Sequence, residues 1–325
     1  MTQAPIASLY GPVAEDMILV EDLLEATKQV EIPPLKRMLD HALGAQGKRL
    51  RPGLVLLAGT FGEYNLNRLV PLGTAIELLH TASLVHDDVV DGADSRRGRP
   101  TTNALFDNAL TVLLGDYIFA KAAEMVTRTG SLAVTRLFAV ALTKMTGGEL
   151  DQDAAAFDVG KDIQHYLWRI GGKTAALFAT ATEGGAMLAG CDDRTIDALR
   201  TYGWSFGMAF QIVDDILDYC GDEALMGKPV GSDLREGTIT LPGLLLLDRH
   251  PEDNPIKRFF TAKRDREARL QEAIAMVRET GVLETAMEMA REYVRRGEDA
   301  IAALPDSEAR RCLLSLGDYN LGRSS

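Results

Sequence analysis

Two segments of this chain repeat one acidic spacing. In HDDVVDGADSRRGRPT the aspartates are Asp87, Asp88 and Asp91, and in GMAFQIVDDILDYCGD they are Asp214, Asp215 and Asp218. On a helix turning ~100° per residue, positions i, i+1 and i+4 fall at about 0°, 100° and 40°, so each trio of carboxylates projects into one quadrant. Like charges ~4 Å apart cost roughly 1 kcal/mol in water and about 4 kcal/mol at a protein surface. Each cluster also precedes a glycine, Gly92 or Gly221, that reads as a helix end, where the macrodipole disfavours an anion by a further ~0.3–1 kcal/mol. A bound cation relieves both penalties. Oxygen donors with no His or Cys among them suit Mg²⁺, with Mn²⁺ as a substitute, because such ions take a few carboxylates and complete their shell with water and phosphate oxygens. The alternating ligands, central glycine and closing glutamate of an EF-hand calcium loop are absent. A single cluster could equally be a solvated acidic helix end. Two identical clusters, each preceded by apolar residues, argue for metal.

Carboxylates that hold a metal are half of a diphosphate site; the other half is Lys and Arg, which reach phosphate oxygens the metal does not. Lys48, Arg49 and Arg51 lie in GKRLRP, Arg96 and Arg97 follow the first cluster, and Lys228 follows the second. Taken singly, each could balance local charge on a solvated face. Their repeated placement beside acidic clusters is what points to phosphate. His80 stands about two turns before Asp87 on nearly the same face, and Phe210–Gln211 about one turn before Asp214, although either could be core packing alone. GGKTA, with Lys173 and Thr174, lacks the first glycine of a nucleotide-binding P-loop and any preceding strand.

These residues need helices to carry them. No proline occurs between Thr101 and Lys228, which permits long uninterrupted helices. Apolar residues there recur at helical spacing, as in Leu110, Leu113, Leu114, Tyr117 and Ile118, then Ala122 and Met125. No stretch alternates at period two. Gly62, Gly92, Gly130, Gly190, Gly221 and Gly281 each end an apolar periodic run and read as C-terminal caps. Roughly ten to twelve helices fit this punctuation. Pro251 to Asp265 reads as a loop or short helix between a catalytic core at about 40–245 and a C-terminal helical layer at about 265–325. With no long linker and no repeat period, residues 1–325 read as one all-α domain.

Composition bounds the partners. Among 325 residues, 35 Lys and Arg against 47 Asp and Glu leave a net charge of −12, which argues against nucleic acid as partner, because phosphate backbones are bound mainly by basic surface. Hydrophobic residues at 46% and charged residues at 25% are a globular mix. Cys191, Cys220 and Cys312 are too scattered for a disulfide framework, as expected in a reducing compartment. The opening MTQAPIASLYGPVAEDM has no basic start with an apolar run, and no charge-free stretch approaches the ~20 residues of a membrane span. The chain reads as cytoplasmic, without a transmembrane segment.

GKRLRP, ELLHTASLVHDDVVDGADSRRGRPT, GDYIFAKA, GGKTA, GMAFQIVDDILDY and GKPVGSDLREGTITLP, in this order, resemble the trans-isoprenyl diphosphate synthases, or polyprenyl synthetases. The resemblance runs from about residue 40 to 245, and two DDxxD clusters with this flanking set are highly specific. It implies an isoprenoid synthase-type helical bundle around a deep central cavity, usually as a homodimer. By the resemblance, Asp87 and Asp91, supported by Asp88, chelate Mg²⁺ on the allylic diphosphate, and Asp214, with Asp215 and Asp218 in the same motif, holds a further Mg²⁺. Arg96, Lys173, Gln211 and Lys228 match allylic-site positions, with Phe210 alongside. Lys48, Arg51, His80 and Arg97 match positions contacting isopentenyl diphosphate, with Arg49 close by. Thr174 matches a residue beside the reacting carbon. Thr238 departs from the pattern, since short-chain relatives typically carry Lys there.

The activity implied is Mg²⁺-dependent head-to-tail condensation of isopentenyl diphosphate onto an allylic diphosphate primer, farnesyl or geranylgeranyl. Ala82 and Ser83 lie about one turn before Asp87, where short-chain relatives often place aromatics that block the growing tail. Small residues leave that path open, so the expected all-trans product is longer than geranylgeranyl diphosphate, with Met125 or Phe138 as floors. The alternatives are a short-chain farnesyl or geranylgeranyl synthase, a class I terpene cyclase, and a non-catalytic prenyltransferase subunit. A cyclase would carry an Asn/Ser/Glu-type motif where this chain has DDILD, and such subunits tend to lose one acidic cluster.

Overall fold

The computed structural model describes residues 9–44, 47–96, 98–221 and 229–324. Among them the chain is almost wholly helical. After a short 3₁₀ turn come α1 (Met17–Thr27), α2 (Pro33–Leu43), α3 (Leu50–Gly59) and α4 (Leu66–Val90). A two-residue antiparallel ribbon pairs β1 (Ser95–Arg96) with β2 (Arg99–Pro100), Arg96 opposite Arg99. Then follow α5 (Thr102–Leu105), α6 (Asn108–Thr127), α7 (Leu132–Ala154) and α8 (Ile163–Ile170). The segment Gly171–Ala175 winds as a π-helix and leads into α9 (Ala176–Leu188) and α10 (Asp193–Cys220). The C-terminal layer holds α11 (Ser232–Arg235), α12 (Leu241–Arg249), α13 (Pro255–Thr261), α14 (Arg266–Glu279), α15 (Val282–Ile301) and α16 (Glu308–Leu321).

The proline gap does contain long helices: α6, α7 and α10 run 20, 23 and 28 residues. Each starts on a side-chain cap, with Asp107, Ser131 and Asp192 accepting from the backbone N–H three residues on. Such caps satisfy donors that the first turn leaves unpaired and stabilise a helix by about 1 kcal/mol. The helices beyond the expected ten to twelve are short ones such as α5 and α11, four residues each, too brief to show periodicity. Between Pro251 and Asp265 the chain forms α13.

Four of the six punctuating glycines, Gly92, Gly130, Gly190 and Gly281, take left-handed φ of 59°, 66°, 67° and 71°. The other two do not. Gly221 is extended at the end of α10. At Gly62 a Cβ would sit 2.3 Å from the Ala189 carbonyl, so close backbone approach rather than a cap requires glycine there.

Two apolar cores result. One gathers α3, α4, α6 and α9 around Leu56, Leu57, Leu72, Ile76 and Ile118. The other joins the second half of α10 to α12, α14 and α15 through Ile212, Ile216, Leu241, Val277 and Ala286. α9 and α10 pack on each other across both. No helix among the described residues is long and apolar enough to cross a membrane.

Candidate active site

The first acidic cluster closes α4, and the structure separates its members. Asp87 stands beside Glu149, Lys173 and Arg96 in one charge cluster with Asp91. Asp88 is 6% exposed and its Oδ1 accepts from Arg96 Nε at 2.6 Å. Burial and the bond to Arg96 set Asp88 apart from Asp87 and Asp91. The β1–β2 ribbon directly after the cluster folds Arg96 back onto it.

The second cluster divides in the same way. Asp214, half-buried, receives Arg323 from the C-terminus, whose guanidinium also lies 4.3 Å from the centroid of the Phe210 ring. Asp215 is 2% exposed and accepts from Tyr166 Oη at 2.6 Å and from Gln211 Nε2 at 2.8 Å. Asp218 is 1% exposed; Ser232 Oγ donates to it at 2.7 Å, and its backbone carbonyl takes the Gly231 N–H. The expectation of three carboxylates projecting together therefore does not hold in either cluster: α10 is buried on more than one side, and neighbours from α8 and α11 occupy two of its aspartates.

Lys173 and Thr174 come to this region because Gly171–Ala175 is a π-helix wedged against α7. A Cβ at Gly148 would meet Lys173 N at 2.8 Å, and one at Gly172 the Lys144 carbonyl at 2.9 Å, so only glycine admits this approach. Extra-wide turns of this kind are frequent at functional sites. Lys173 Nζ lies 2.7 Å from Glu149 and 3.2 Å from Gln152. Thr174 Oγ1 donates to Gln211 Oε1 at 2.6 Å, tying the segment to α10.

GKRLRP is drawn in through aromatic rings. Arg51 places its guanidinium 4.2 Å from the centroid of Phe178, which packs against Phe210 at 5.3 Å. Lys48 bonds Tyr319 Oη on α16, and Arg323, in the 3₁₀ turn that follows α16, reaches Asp214, so the end of the chain's last helix and that turn bridge this segment to the second acidic cluster. Arg49 differs from its neighbours. Its backbone is left-handed at φ 49°, and its guanidinium pairs with Glu21 at 2.7 Å and the buried Glu77 at 2.9 Å. His80 is half-buried on α4. Arg97 and Lys228 lie outside the described residues. Ala82, Met125 and Phe138 are buried in one core, and Ser83 beside them is half-buried, its hydroxyl donating to the His80 carbonyl.

Glu77, Glu149, Gln152, Tyr166 and Arg323 were not singled out in the sequence. Glu149 and Gln152, i and i+3 in TGGELDQD, carried a usable signal: an acid and an amide on one face after a glycine pair. Arg323 carried none, being 109 residues from Asp214.

Electrostatics mark the first cluster as short of positive charge. Burial, followed by Glu149, pushes the Asp87 carboxyl up to about 7, and burial raises Asp91 likewise, while Lys173 and Arg96 pull both down. A cation supplied from outside fits this imbalance, and the donors are oxygen only. Among the described residues no three His, Cys, Asp or Glu side chains form a ready cage. A carboxyl raised in the folded state holds its proton more tightly there, so its stabilising contribution is full below the unfolded value near 4 and is lost as pH climbs to about 7. The increase in melting temperature produced by Mg²⁺ is therefore expected to be larger at about pH 8 than at about pH 5.5. Scanning fluorimetry checks this, and equal increments would show that no cation enters between these carboxylates.

An all-α bundle that presents two aspartate clusters beside lysine and arginine is a helical enzyme built for diphosphate esters. The polyprenyl synthetase family pattern matches residues 32–277. The chain is 35% identical over 310 residues to heptaprenyl diphosphate synthase component 2 of Bacillus subtilis, covering 95% of this chain and 88% of that one. It is 37% identical to the all-trans-nonaprenyl-diphosphate synthase (geranyl-diphosphate specific) of Rhodobacter capsulatus, covering 97% of each. Its fold matches the polyprenyl synthase of Caulobacter crescentus, solved with calcium and isoprenyl diphosphate, with a TM-score of 0.93 at 34% identity over the whole of both chains. The chain belongs to the polyprenyl synthetase family and is a prenyltransferase, a polyprenyl diphosphate synthase.

Proposed function

We propose that this single-domain chain condenses isopentenyl diphosphate head-to-tail onto an allylic diphosphate with Mg²⁺ and carries elongation past geranylgeranyl length. The observation that carries the reading is the half-buried Asp87 with Asp91 at the end of α4, facing Lys173 and Arg96. Asp87, Asp91 and Asp214 would hold the metal, which, when bound, draws off charge developing on the leaving diphosphate. Arg96, Lys173 and Gln211 hold the allylic diphosphate, with Lys228 by resemblance. Lys48, Arg51 and His80 take isopentenyl diphosphate, with Arg97 by resemblance. Arg49, engaged by two glutamates, orients Lys48 and Arg51 rather than touching substrate. Breaking the allylic C–O bond leaves a cation, which the isopentenyl double bond attacks; the departing diphosphate accepts the proton, so no protein nucleophile is required. Apolar walls exclude water from that cation.

The names of the relatives, heptaprenyl and nonaprenyl synthases, support a long product. So do the small residues Ala82 and Ser83, Ala82 sharing one core with Met125 and Phe138. Exposed apolar residues on α6 and α7, with Leu113 63% and Leu132 85% exposed, support a homodimer through that face. A cytoplasmic location is consistent with the free cysteines.

The test is incubation of the purified chain with labelled isopentenyl diphosphate, farnesyl diphosphate and Mg²⁺, followed by chromatography of the dephosphorylated alcohols. Products longer than geranylgeraniol are expected. None longer would overturn the long-chain reading, and elongation only with an added second component would make this chain one part of a two-component enzyme. Ala82→Phe is expected to shorten the product. Because Ala82 is fully buried, overpacking adds a stability cost of about 1–3 kcal/mol, so Ser83→Phe, at a half-buried position, is the companion variant.

A further inference from the structure

A cleft of about 300 Å³ lies between α7, α9 and α10, and none of the residues assigned above to the diphosphates or the metal lines it. That volume is at the lower end of small-molecule sites. Its walls are apolar: Leu137 and Val140 on α7, Ala179 on α9 and the indole of Trp204 on α10. Three charged residues join them, Lys144, Glu183 and Arg200, one from each helix. Glu183 is half-buried, and among the described residues no hydrogen bond or ion pair reaches it. Burial raises its carboxyl, while Arg200 and Lys144 pull it down without pairing with it. Arg200 turns instead to Asp197 at 3.0 Å, and Lys144 is exposed. A carboxylate that gives up water with no bond in return is a cost to the fold. The cleft also backs onto the active site. A Cβ at Gly171 would lie 2.8 Å from the Trp204 ring, and the Lys144 carbonyl is what excludes a side chain at Gly172. Two residues of the cleft thus hold the start of the π-helix that presents Lys173 and Thr174.

We infer that this cleft binds a free α-amino acid with an apolar side chain, and that the bound amino acid changes the rate of prenyl transfer. Its ammonium pairs with Glu183, its carboxylate with Lys144 and Arg200, and its side chain lies against Leu137, Val140, Ala179 and Trp204. An anionic ligand is repelled by Glu183 and a cationic one by Lys144 and Arg200, whereas a dipolar molecule satisfies all three charges. Coupling to catalysis follows from the shared walls. A side chain pressed on Trp204 shifts its packing against Gly171, and the placement of Lys173 two residues on shifts with it.

The chain has two tryptophans, so Trp168→Phe leaves Trp204 as the sole indole reporter. Its fluorescence is titrated with L-leucine and L-methionine, and with two fragments of leucine, 4-methylpentanoate without the ammonium and 3-methylbutylamine without the carboxylate. Both amino acids are expected to give a saturable change, and each fragment to bind ~10-fold or more weakly than leucine. Glu183→Gln is expected to weaken leucine ~10-fold. Lys144→Met, at an exposed position, should weaken leucine and leave 3-methylbutylamine within ~2-fold. In steady-state prenyl transfer, saturating leucine should change the kcat of the wild-type chain by ~2-fold or more and leave that of Glu183→Gln unaltered. Sedimentation of the same preparations reports association between copies. No saturation by either amino acid, a fragment binding as tightly as leucine, or affinity unmoved by Glu183→Gln would each overturn the site. Saturation without a change in kcat would overturn the coupling. Weaker self-association of Glu183→Gln would make the cleft a contact between copies and overturn the proposal in that way.

Discussion

Asp87→Asn is expected to lower kcat/KM ~10²- to 10³-fold while raising the melting temperature of the ligand-free protein. The loss follows from removing a carboxylate that would hold the metal where leaving-group charge develops, a kind of preorganised interaction worth that much in rate. The gain in stability has a separate cause. Burial and the neighbouring Glu149 already push this carboxyl up to about 7, so its ionised form opposes folding at neutral pH. A neutral amide removes that cost and leaves Lys173 and Arg96 to serve Glu149, Asp88 and Asp91. Opposite signs of change in activity and stability are the signature of a group kept for chemistry rather than for the fold. Kinetics beside thermal unfolding of the same preparation checks it, and a fall in both would make Asp87 an ordinary structural residue.

Lys173→Met should also cut kcat/KM, by ~10²-fold, but with the stability effect reversed. Lys173 lies 2.7 Å from Glu149 and pulls down the pKa of both Asp87 and Asp91. Without it three carboxylates face one another with Arg96 as the nearest counter-charge, so the protein destabilises and Asp87 rises above its present value. The acid limb of the pH–activity profile moves to higher pH in consequence. Adding Glu149→Gln should recover stability without recovering activity, because the excess negative charge disappears while the diphosphate cation stays missing. Recovery of activity in that double variant would show that Lys173 serves only to neutralise Glu149. Together with Asp87→Asn, the pair separates the two sides of the charge balance.

Helices were legible because their causes are local. The proline-free stretch and the 3.6-residue apolar recurrence in α6 announce themselves over a dozen residues, and capping by Asp107, Ser131 and Asp192 is a short-range bond. Glycine was read less well at Gly62, where the Ala189 backbone, distant in sequence, is what excludes a side chain. The Ser95–Pro100 ribbon is too short to show alternation.

For the site, the sequence by itself determined the inventory: two aspartate clusters, their basic companions and GGKTA, since residue type and spacing along one helix are fixed by covalent order. Partnership was decided only by tertiary structure. The spacing of Asp214, Asp215 and Asp218 repeats that of Asp87, Asp88 and Asp91, yet no rule of helix geometry says that Tyr166 and Ser232 will satisfy two of the second trio. The packing of α8 and α11 against α10 settles that. Nor does anything near Asp214 announce Arg323, or anything near Arg49 announce Glu77. A buried charge must find a partner wherever the chain happens to return, and that return is a property of the whole fold.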